Sequence, residues 1–436
     1  MNLFETTLKL NGFPIATAKE KLKEIQQISE ENYKNYIFKA REEIVRYHIQ
    51  NNPFYKDFIE NGDVAWDSIP IMTKSHLQMP LEDRLSEGFT KKTVYVNKTS
   101  GSSGTPFIFA KDKFCHALTW AEIIDRFGSL GIDFNASLQA RFYGIPLDYK
   151  NYYKERIKDF FSHRYRFPIF NLSTRILEDI LESFKRKKFD YINGYTSSIV
   201  LFAKFLKERD ILLTEICPTL RYCIVTSEML FDDDKKLMEA VFGVPVINEY
   251  GASELDLIAF SDIEGDLIVN SRTIFVEILN ECDKPVPLGN SGRIVITSLY
   301  NKAQPMIRYD IGDTGILATS STYKRPILEK LIGRTNDMAR LPSGKIVPGL
   351  TFYYVTKSII SNDSNVKEFT IKQIELDTFK IQYVADKELV HQEKLAIQKS
   401  ILEYLEKDLK IIFERSDILK RSKSGKLKQF VSLITQ

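Results

Sequence analysis

The stretch FGVPVINEYGASELD, residues 242–256, decides how this chain is read. An apolar run, Val244–Ile247, gives way within a few residues to Glu249, Tyr250 and Gly251, with Ala252, Ser253 and Glu254 just beyond. That is the pattern of a short buried strand whose carboxyl end carries polar groups on a glycine turn. Three other runs, QARFYGI (139–145), YINGY (191–195) and LRYCIVTSEM (220–229), have the same character, and helical stretches at 173–188 and 197–209 lie between them. Strands alternating with helices predict an α/β fold: a large N-terminal domain of layered, mainly parallel sheets and helices. In such sheets ligands bind beyond the carboxyl ends of the strands, where these turns fall.

Working outward, residues 18–50 place Leu22, Ile25, Ile37 and Ile44 at helical spacing among many charges, which predicts an amphipathic helix in two pieces. NNPFYKDFIENGD (51–63) reads as a break followed by a short helix, and in IPIMTKSHL (69–77) Thr73 is placed to cap another. Near Gly333 the texture changes. KEFTIKQIE (367–375) and TFKIQYVAD (378–386) alternate apolar with polar, as half-buried antiparallel strands do. A helix at about 387–407, with Val390, Ile397, Ile401 and Leu405 on one stripe, then KIIF and a basic tail, complete a small C-terminal α+β domain. The expected division is 1–332, a hinge at 333–337, and 338–436.

The chain has 436 residues, 61 of them basic and 58 acidic, a formal net charge of +3. That near-balance argues against nucleic acid or an anionic membrane as the partner. No apolar run of spanning length exists, and the first residues lack a basic start followed by a continuous apolar stretch. A cytoplasmic protein is expected, as a monomer or homodimer. Cys115, Cys217, Cys223 and Cys282 form no C-x-x-C pair, which predicts reduced, packed thiols and no zinc site.

Five stretches could carry chemistry. VNKTSGSSGTPF (96–107) gathers hydroxyls at Thr99, Ser100, Ser102, Ser103 and Thr105 around Gly101 and Gly104. It is no Walker loop, because no Gly-Lys-Ser/Thr follows; an anion-binding turn and a plain loop both remain open. In NEYGASELD (248–256), Tyr250 offers a ring for stacking and Glu254 a hard oxygen ligand for Mg²⁺, while a plain strand–turn–helix junction would look similar. In MIRYDIGDTG (306–315), Asp313 could accept from two vicinal hydroxyls, or lie in a hairpin turn. In LIGRTNDMARLPSGKIVPG (331–349), Arg334, Asn336 and Asp337 mark the change of texture, as either a hinge or a linker. In LKRSKSGKLKQF (419–430), Lys426 follows a Ser-Gly turn that would present it to a phosphate, though a charge run also suits a solvated face.

Taken in this order, TSGSSGTP, YGASE, YDIGD, GRTND and RSKSGK resemble the signature of the adenylate-forming superfamily of acyl- and aryl-CoA ligases, peptide-synthetase adenylation domains and luciferases. IPIMTKSHL and NGYTSSI resemble stretches of its phenylacetate–CoA ligase family, including relatives in capsule and O-antigen gene clusters. The resemblance implies a two-step reaction. A carboxylic acid, aryl or short acyl, attacks the α-phosphate of ATP to give an acyl-adenylate and pyrophosphate. The acyl group then passes to CoA, or in an alternative to an amine such as a surface sugar. A non-catalytic nucleotide-binding protein is the alternative of another class.

The resemblance also implies roles. Thr99, Ser100, Gly101, Ser102, Ser103, Gly104 and Thr105 would hold the β- and γ-phosphates. Tyr250 and Gly251, within the nucleotide-binding stretch Glu249–Ser253, would border the adenine. Ser253 would touch the α-phosphate, Glu254 would bind Mg²⁺, and Asp313, with Arg334 assisting, would hold the ribose. Lys426 would bridge the α-phosphate and the carboxylate. Tyr143, Gly144, Tyr195 and Ser227 are the expected acid pocket, with no charged residue as an obvious partner for a second substrate charge. Thr105 stands where most relatives have Lys, Asn336 or Asp337 would be the pivot, and Lys423 competes with Lys426.

Overall fold

The computed structural model describes residues 3–60, 65–99, 107–143, 149–169, 172–334, 338–348, 352, 356, 365–421 and 427–434. Of the expected site residues, Ser100 to Thr105, Gly144, Asn336, Asp337 and Lys426 lie outside them, and of Arg334 only the backbone is described.

The amphipathic N-terminal region forms two helices, Ile15–Gln27 and Glu30–Asn51, as its spacing predicts. Asn52 then caps a short helix, Pro53–Phe58, by accepting from the Tyr55 N–H at 2.8 Å, with proline at the first helical position where no N–H is needed. Thr73 caps no helix; a turn over 74–77 stands there, tied by the His76 ring, whose Nδ1 accepts from the Thr73 N–H. This segment is fixed elsewhere. Met72 exchanges backbone hydrogen bonds with Arg308 and Asp310, and the fully buried Arg308 guanidinium donates to the Ile69 carbonyl at 2.7 Å.

A hairpin of β1 (Tyr95–Lys98) and β2 (Ile108–Lys111) precedes the main sheet. That sheet contains β3 (Gln139–Phe142), β4 (Arg164–Phe167), β5 (Tyr191–Tyr195), β6 (Tyr222–Thr226), β7 (Val246–Ala252), β8 (Asp256–Ser261) and β9 (Leu267–Val269), in the order 4-3-5-6-7-8-9. The first five strands of that order are parallel and the last two antiparallel. Helices Thr174–Arg186, Thr196–Lys207 and Asp232–Phe242 bury Leu177, Phe202 and Met238 against one face. Helix Lys113–Ser129 covers part of the other through Phe127. Because β3 is flanked by β4 and β5, the winding direction reverses between β3 and β5, the place where open α/β sheets form a crevice.

A four-stranded antiparallel sheet follows, made of β10 (Ile274–Leu279), β11 (Ser291–Ser298), β12 (Tyr309–Leu317) and β13 (Leu328–Arg334). Beyond it come a short pair, β14 (Met338–Arg340) and β15 (Ile346–Pro348), and a C-terminal sheet of β16 (Val366–Gln373), β17 (Thr378–Ala385), β18 (Lys410–Arg415) and β19 (Phe430–Ser432). β16 and β17 pair antiparallel, as the alternation of their residues predicts. The C-terminal helix, His391–Tyr404, buries Ile397 and Ile401; Val390, expected on the same stripe, is instead the exposed residue before its first turn. Cys115, Cys217 and Cys223 are buried free thiols, but Cys282 is exposed rather than packed. Among the described residues no helix is long and apolar enough to cross a membrane.

Candidate active site

The carboxyl ends of the parallel strands converge on one place. Tyr195, Thr226 and Glu249 are register partners across β5, β6 and β7, so they stand side by side on one face of the sheet. Gly194 is required here, because a Cβ on it would lie 2.3 Å from the Phe142 carbonyl oxygen on β3. Tyr143, just past β3, packs its ring 4.8 Å from that of Tyr195. The pair sits where the winding reverses. Over the Tyr143 ring, at 4.1 Å, lies the Arg141 guanidinium, whose pKa burial lowers; its buried Nε has no hydrogen-bond partner among the described residues. A cation therefore does stand beside the expected acid pocket, hidden from sequence inspection by its place inside the strand.

β7 does not lead into a helix. It continues to Ala252, turns at 253–255, and returns antiparallel as β8. The register slips between Tyr250 and Gly251, and a Cβ on Gly251 would lie 2.5 Å from the Asp256 carbonyl oxygen. Only glycine lets the two backbones approach so closely. Ser253 is exposed at the turn and Glu254 is buried beside it. The Tyr309 hydroxyl donates to Glu254 Oε1 at 3.1 Å. Burial together with this carboxylate pushes the Tyr309 phenol well above its usual range.

Asp313 lies within β12, not in a hairpin turn. Arg293 pairs with Thr314 and Val295 with Asp310, so residues 311–313 bulge opposite Ile294 alone, with Gly312 at φ +80°. The bulge meets Tyr250, which donates its hydroxyl hydrogen to Asp313 Oδ2 at 2.6 Å. Arg334 on β13 is the backbone partner of Asp313. Of the hydroxyl-rich loop, Thr99 is described. Its N–H donates to the Phe107 carbonyl at 2.9 Å and its hydroxyl accepts from the Phe107 N–H at 3.0 Å, which joins the two feet of the loop.

A cavity of about 780 Å³ opens between these elements, lined by Ser227, Glu228, Asn248, Glu249, Tyr250 and Asp313 on one side. Leu427, Lys428 and Phe430 of the C-terminal domain line the other. The structure thus brings Ser227, Glu249, Tyr250, Gly251 and Asp313 onto one cavity, while Tyr143 and Tyr195 are not part of its lining. Besides Arg141, two residues of the neighbourhood were missed in the sequence. Glu228 follows Ser227, which has φ +70°, and burial raises its pKa. Lys111, buried at the end of β2, pairs with Asp256 beyond Glu254; burial brings its pKa down to about 8. A lysine closing the apolar run FIFAK was the available signal.

No three His, Cys, Asp or Glu side chains gather as a metal site among the described residues. A lone carboxylate such as Glu254 still fits Mg²⁺, which takes one or two protein carboxylates and fills its shell with water and phosphate oxygens.

No family model matches the chain. Protein CapK of Staphylococcus aureus is 23% identical over 355 residues, covering 77% of this chain and 75% of that protein. Among solved structures, 2-hydroxyisobutyryl-CoA ligase in the postadenylation state, in complex with R3-HIB-AMP, overlays 91% of this chain and 88% of its own, with a TM-score of 0.69 and 16% identity. The same ligase in an open conformation with 2-HIB-AMP and CoA gives 0.56, again at 16% identity, covering 91% and 90%. In the thioesterification state it gives 0.55 at 14% identity, covering 93% and 90%. ATP-bound MatB from Rhodopseudomonas palustris gives 0.53 at 15% identity, covering 77% of this chain and 65% of its own. The fold of this chain is that of the adenylate-forming acyl-CoA ligases.

Proposed function

We propose that the protein is an ATP-dependent ligase that activates a carboxylic acid as its acyl-adenylate and then transfers the acyl group to CoA. The observation that carries this is the junction of Tyr250 and Asp313 on a cavity closed from the other side by the C-terminal domain. A carboxylate beside a ring suits a nucleoside: Asp313 accepts from the ribose hydroxyls, with Arg334 assisting, and Tyr250 and Gly251 border the base. Glu249, Ala252 and Ser253 complete that wall, and Ser253 at the exposed turn reaches the α-phosphate. The 99–105 loop holds the β- and γ-phosphates.

Glu254 would hold Mg²⁺, which when bound compensates charge on phosphate oxygens. Displacement at phosphorus needs alignment and charge compensation more than covalent help. Lys426 supplies a cation to the attacking carboxylate and the α-phosphate in the first step. Its withdrawal as residues 338–436 turn about 333–337 clears the way for the thiol. An aryl or short acyl chain would extend from Ser227, on the cavity, toward Tyr143 and Tyr195, which lie beyond its lining at the point where the sheet reverses.

ATP–pyrophosphate exchange across a panel of aryl and short-chain acids tests the first step. Exchange with at least one acid is expected; exchange with none of a broad panel would overturn the proposal in favour of a nucleotide-binding protein. With the best acid, CoA and an amino sugar are then supplied separately and the thioester or amide is sought by mass. An amide without a thioester would move the acceptor to an amine.

A further inference from the structure

We infer that Glu228 is a positioning residue for adenylation, seating the C-terminal segment that carries Lys426 against the carboxyl end of β6. This rests on the function proposed above and adds a residue to it.

The geometry is bipartite. Glu228 Oε2 accepts from the Ser197 N–H at 2.7 Å, and Oε1 accepts from the Leu427 N–H at 2.8 Å. Ser197 lies in the first turn of helix Thr196–Lys207, where backbone N–H groups lack partners within the helix and the residue before the helix, Tyr195, provides no side-chain cap. An anion at that end is favoured by the helix dipole. One carboxylate oxygen is therefore fixed by the large domain, which aims the other at the C-terminal domain. Leu427 is joined to Lys426 by a single peptide bond.

Other contacts hold the same seat. Arg421 donates to the Ser197 hydroxyl at 3.0 Å and pairs with Glu368 on β16. Phe231, three residues beyond Glu228, is buried in the apolar cluster of the C-terminal domain with Phe352 and Phe430. Of three states of 2-hydroxyisobutyryl-CoA ligase, the chain as a whole overlays the postadenylation one at a TM-score of 0.69, against 0.56 and 0.55 for the open and thioesterification states. The Glu228–Leu427 bond belongs to the arrangement of the two domains in this chain. It must break when the domain turns, whereas the Glu228–Ser197 bond stays within the large domain.

The test is Glu228→Gln. It keeps the size and shape of the side chain but leaves one acceptor where two N–H donors converge, so one donor faces an amide NH₂. ATP–pyrophosphate exchange should slow by roughly 10- to 100-fold. Thioester formation from a supplied acyl-adenylate should stay within about twofold, because it does not use this seat. Amide hydrogen exchange in the peptide spanning Leu427 should quicken in the ligand-free variant, a readout that needs no activity. Equal loss in both half-reactions, or no loss in either, overturns the positioning role. Unchanged exchange at Leu427 in an active enzyme overturns the seat alone. A wild-type protein that exchanges pyrophosphate with no acid overturns the proposed function instead.

Discussion

The Tyr250 hydroxyl and the Asp313 carboxylate meet at 2.6 Å, joining a strand of the mostly parallel sheet to the bulged strand of the antiparallel one. The bulge gives Asp313 this position, since a regular strand would have no extra residues opposite Ile294. A hydrogen bond to a charged acceptor is worth about 1.5–3 kcal/mol. Asp313→Asn should therefore raise KM for ATP by roughly 10- to 100-fold, with a smaller effect on kcat, because the ribose contact proposed for Asp313 would be shared by ground and transition states. Tyr250→Phe should cost less, since the carboxylate survives. Steady-state ATP–pyrophosphate exchange separates the two; an unchanged KM in the folded Asp313→Asn enzyme would remove Asp313 from the ribose site.

Gly251 gives a sharper contrast. Its missing side chain is what allows the Asp256 carbonyl to pass at 2.5 Å from the Cβ position, and that neighbour is backbone, which cannot swing aside. Gly251→Ala should destabilise by about 1–3 kcal/mol and depress exchange activity at least tenfold, since Glu254 follows three residues later. Gly128, in the helix Lys113–Ser129, has nothing within 4 Å of its Cβ position. Gly128→Ala should be neutral or stabilising by up to about 1 kcal/mol. Denaturant titration of both variants checks this, and equal effects would contradict the steric account.

Much of this was legible in the sequence because it is local. β5, β6 and the start of β7 are apolar runs, buried where the pattern puts them, and β3 buries Ala140 and Phe142. β4 was not legible. Its RYRF alternates charge with aromatic, and it becomes a strand because Arg164 and Arg166 find Asp159, and Arg166 also Glu155, on the preceding helix, Tyr149–Phe161. The Glu228 seat was hidden for another reason: its partner Leu427 is 199 residues away, and a single glutamate after a strand looks like any solvated carboxylate. Motif spacing brought Tyr250 and Asp313 into view, but not the bulge that joins them. Arg141 escaped notice because a strand interior is the last place a cation is expected.

His48 ties stability to pH. It is fully buried, with Nε2 donating to the Asn301 carbonyl at 2.8 Å and Nδ1 accepting from the Ser86 hydroxyl at 3.2 Å. Burial brings its pKa from 6.5 down to about 4, so the folded protein keeps it neutral where the unfolded chain takes up a proton. Stability is then complete above pH 6.5 and falls as the pH drops toward 4, by about 3 kcal/mol from this residue. His116, whose pKa is lowered to about 3 by burial, acts in the same direction. In His48→Gln, which lacks the titration, the loss between pH 7 and 4 should be smaller by about that amount. Denaturant midpoints at the two pH values measure it, and parallel curves would show that His48 is not the source.

Of the four lysines in the tail, Lys420, Lys423, Lys426 and Lys428, the two candidates are Lys423 and Lys426, and only Lys426 has Ser-Gly directly before it in sequence. The anchored Leu427 sharpens the choice. Lys426 is joined to that anchored residue by one peptide bond, whereas Lys423 is four residues from it. By analogy with the loss of one preorganised donor, Lys426→Ala should slow adenylation by at least roughly 10²-fold, while Lys423→Ala should change it by no more than about threefold. Thioester formation from a supplied acyl-adenylate should survive both substitutions, because the proposed mechanism has the lysine withdrawn before that step. A folded Lys426→Ala enzyme that loses both half-reactions equally would place the lysine in general support of the cavity rather than at the α-phosphate.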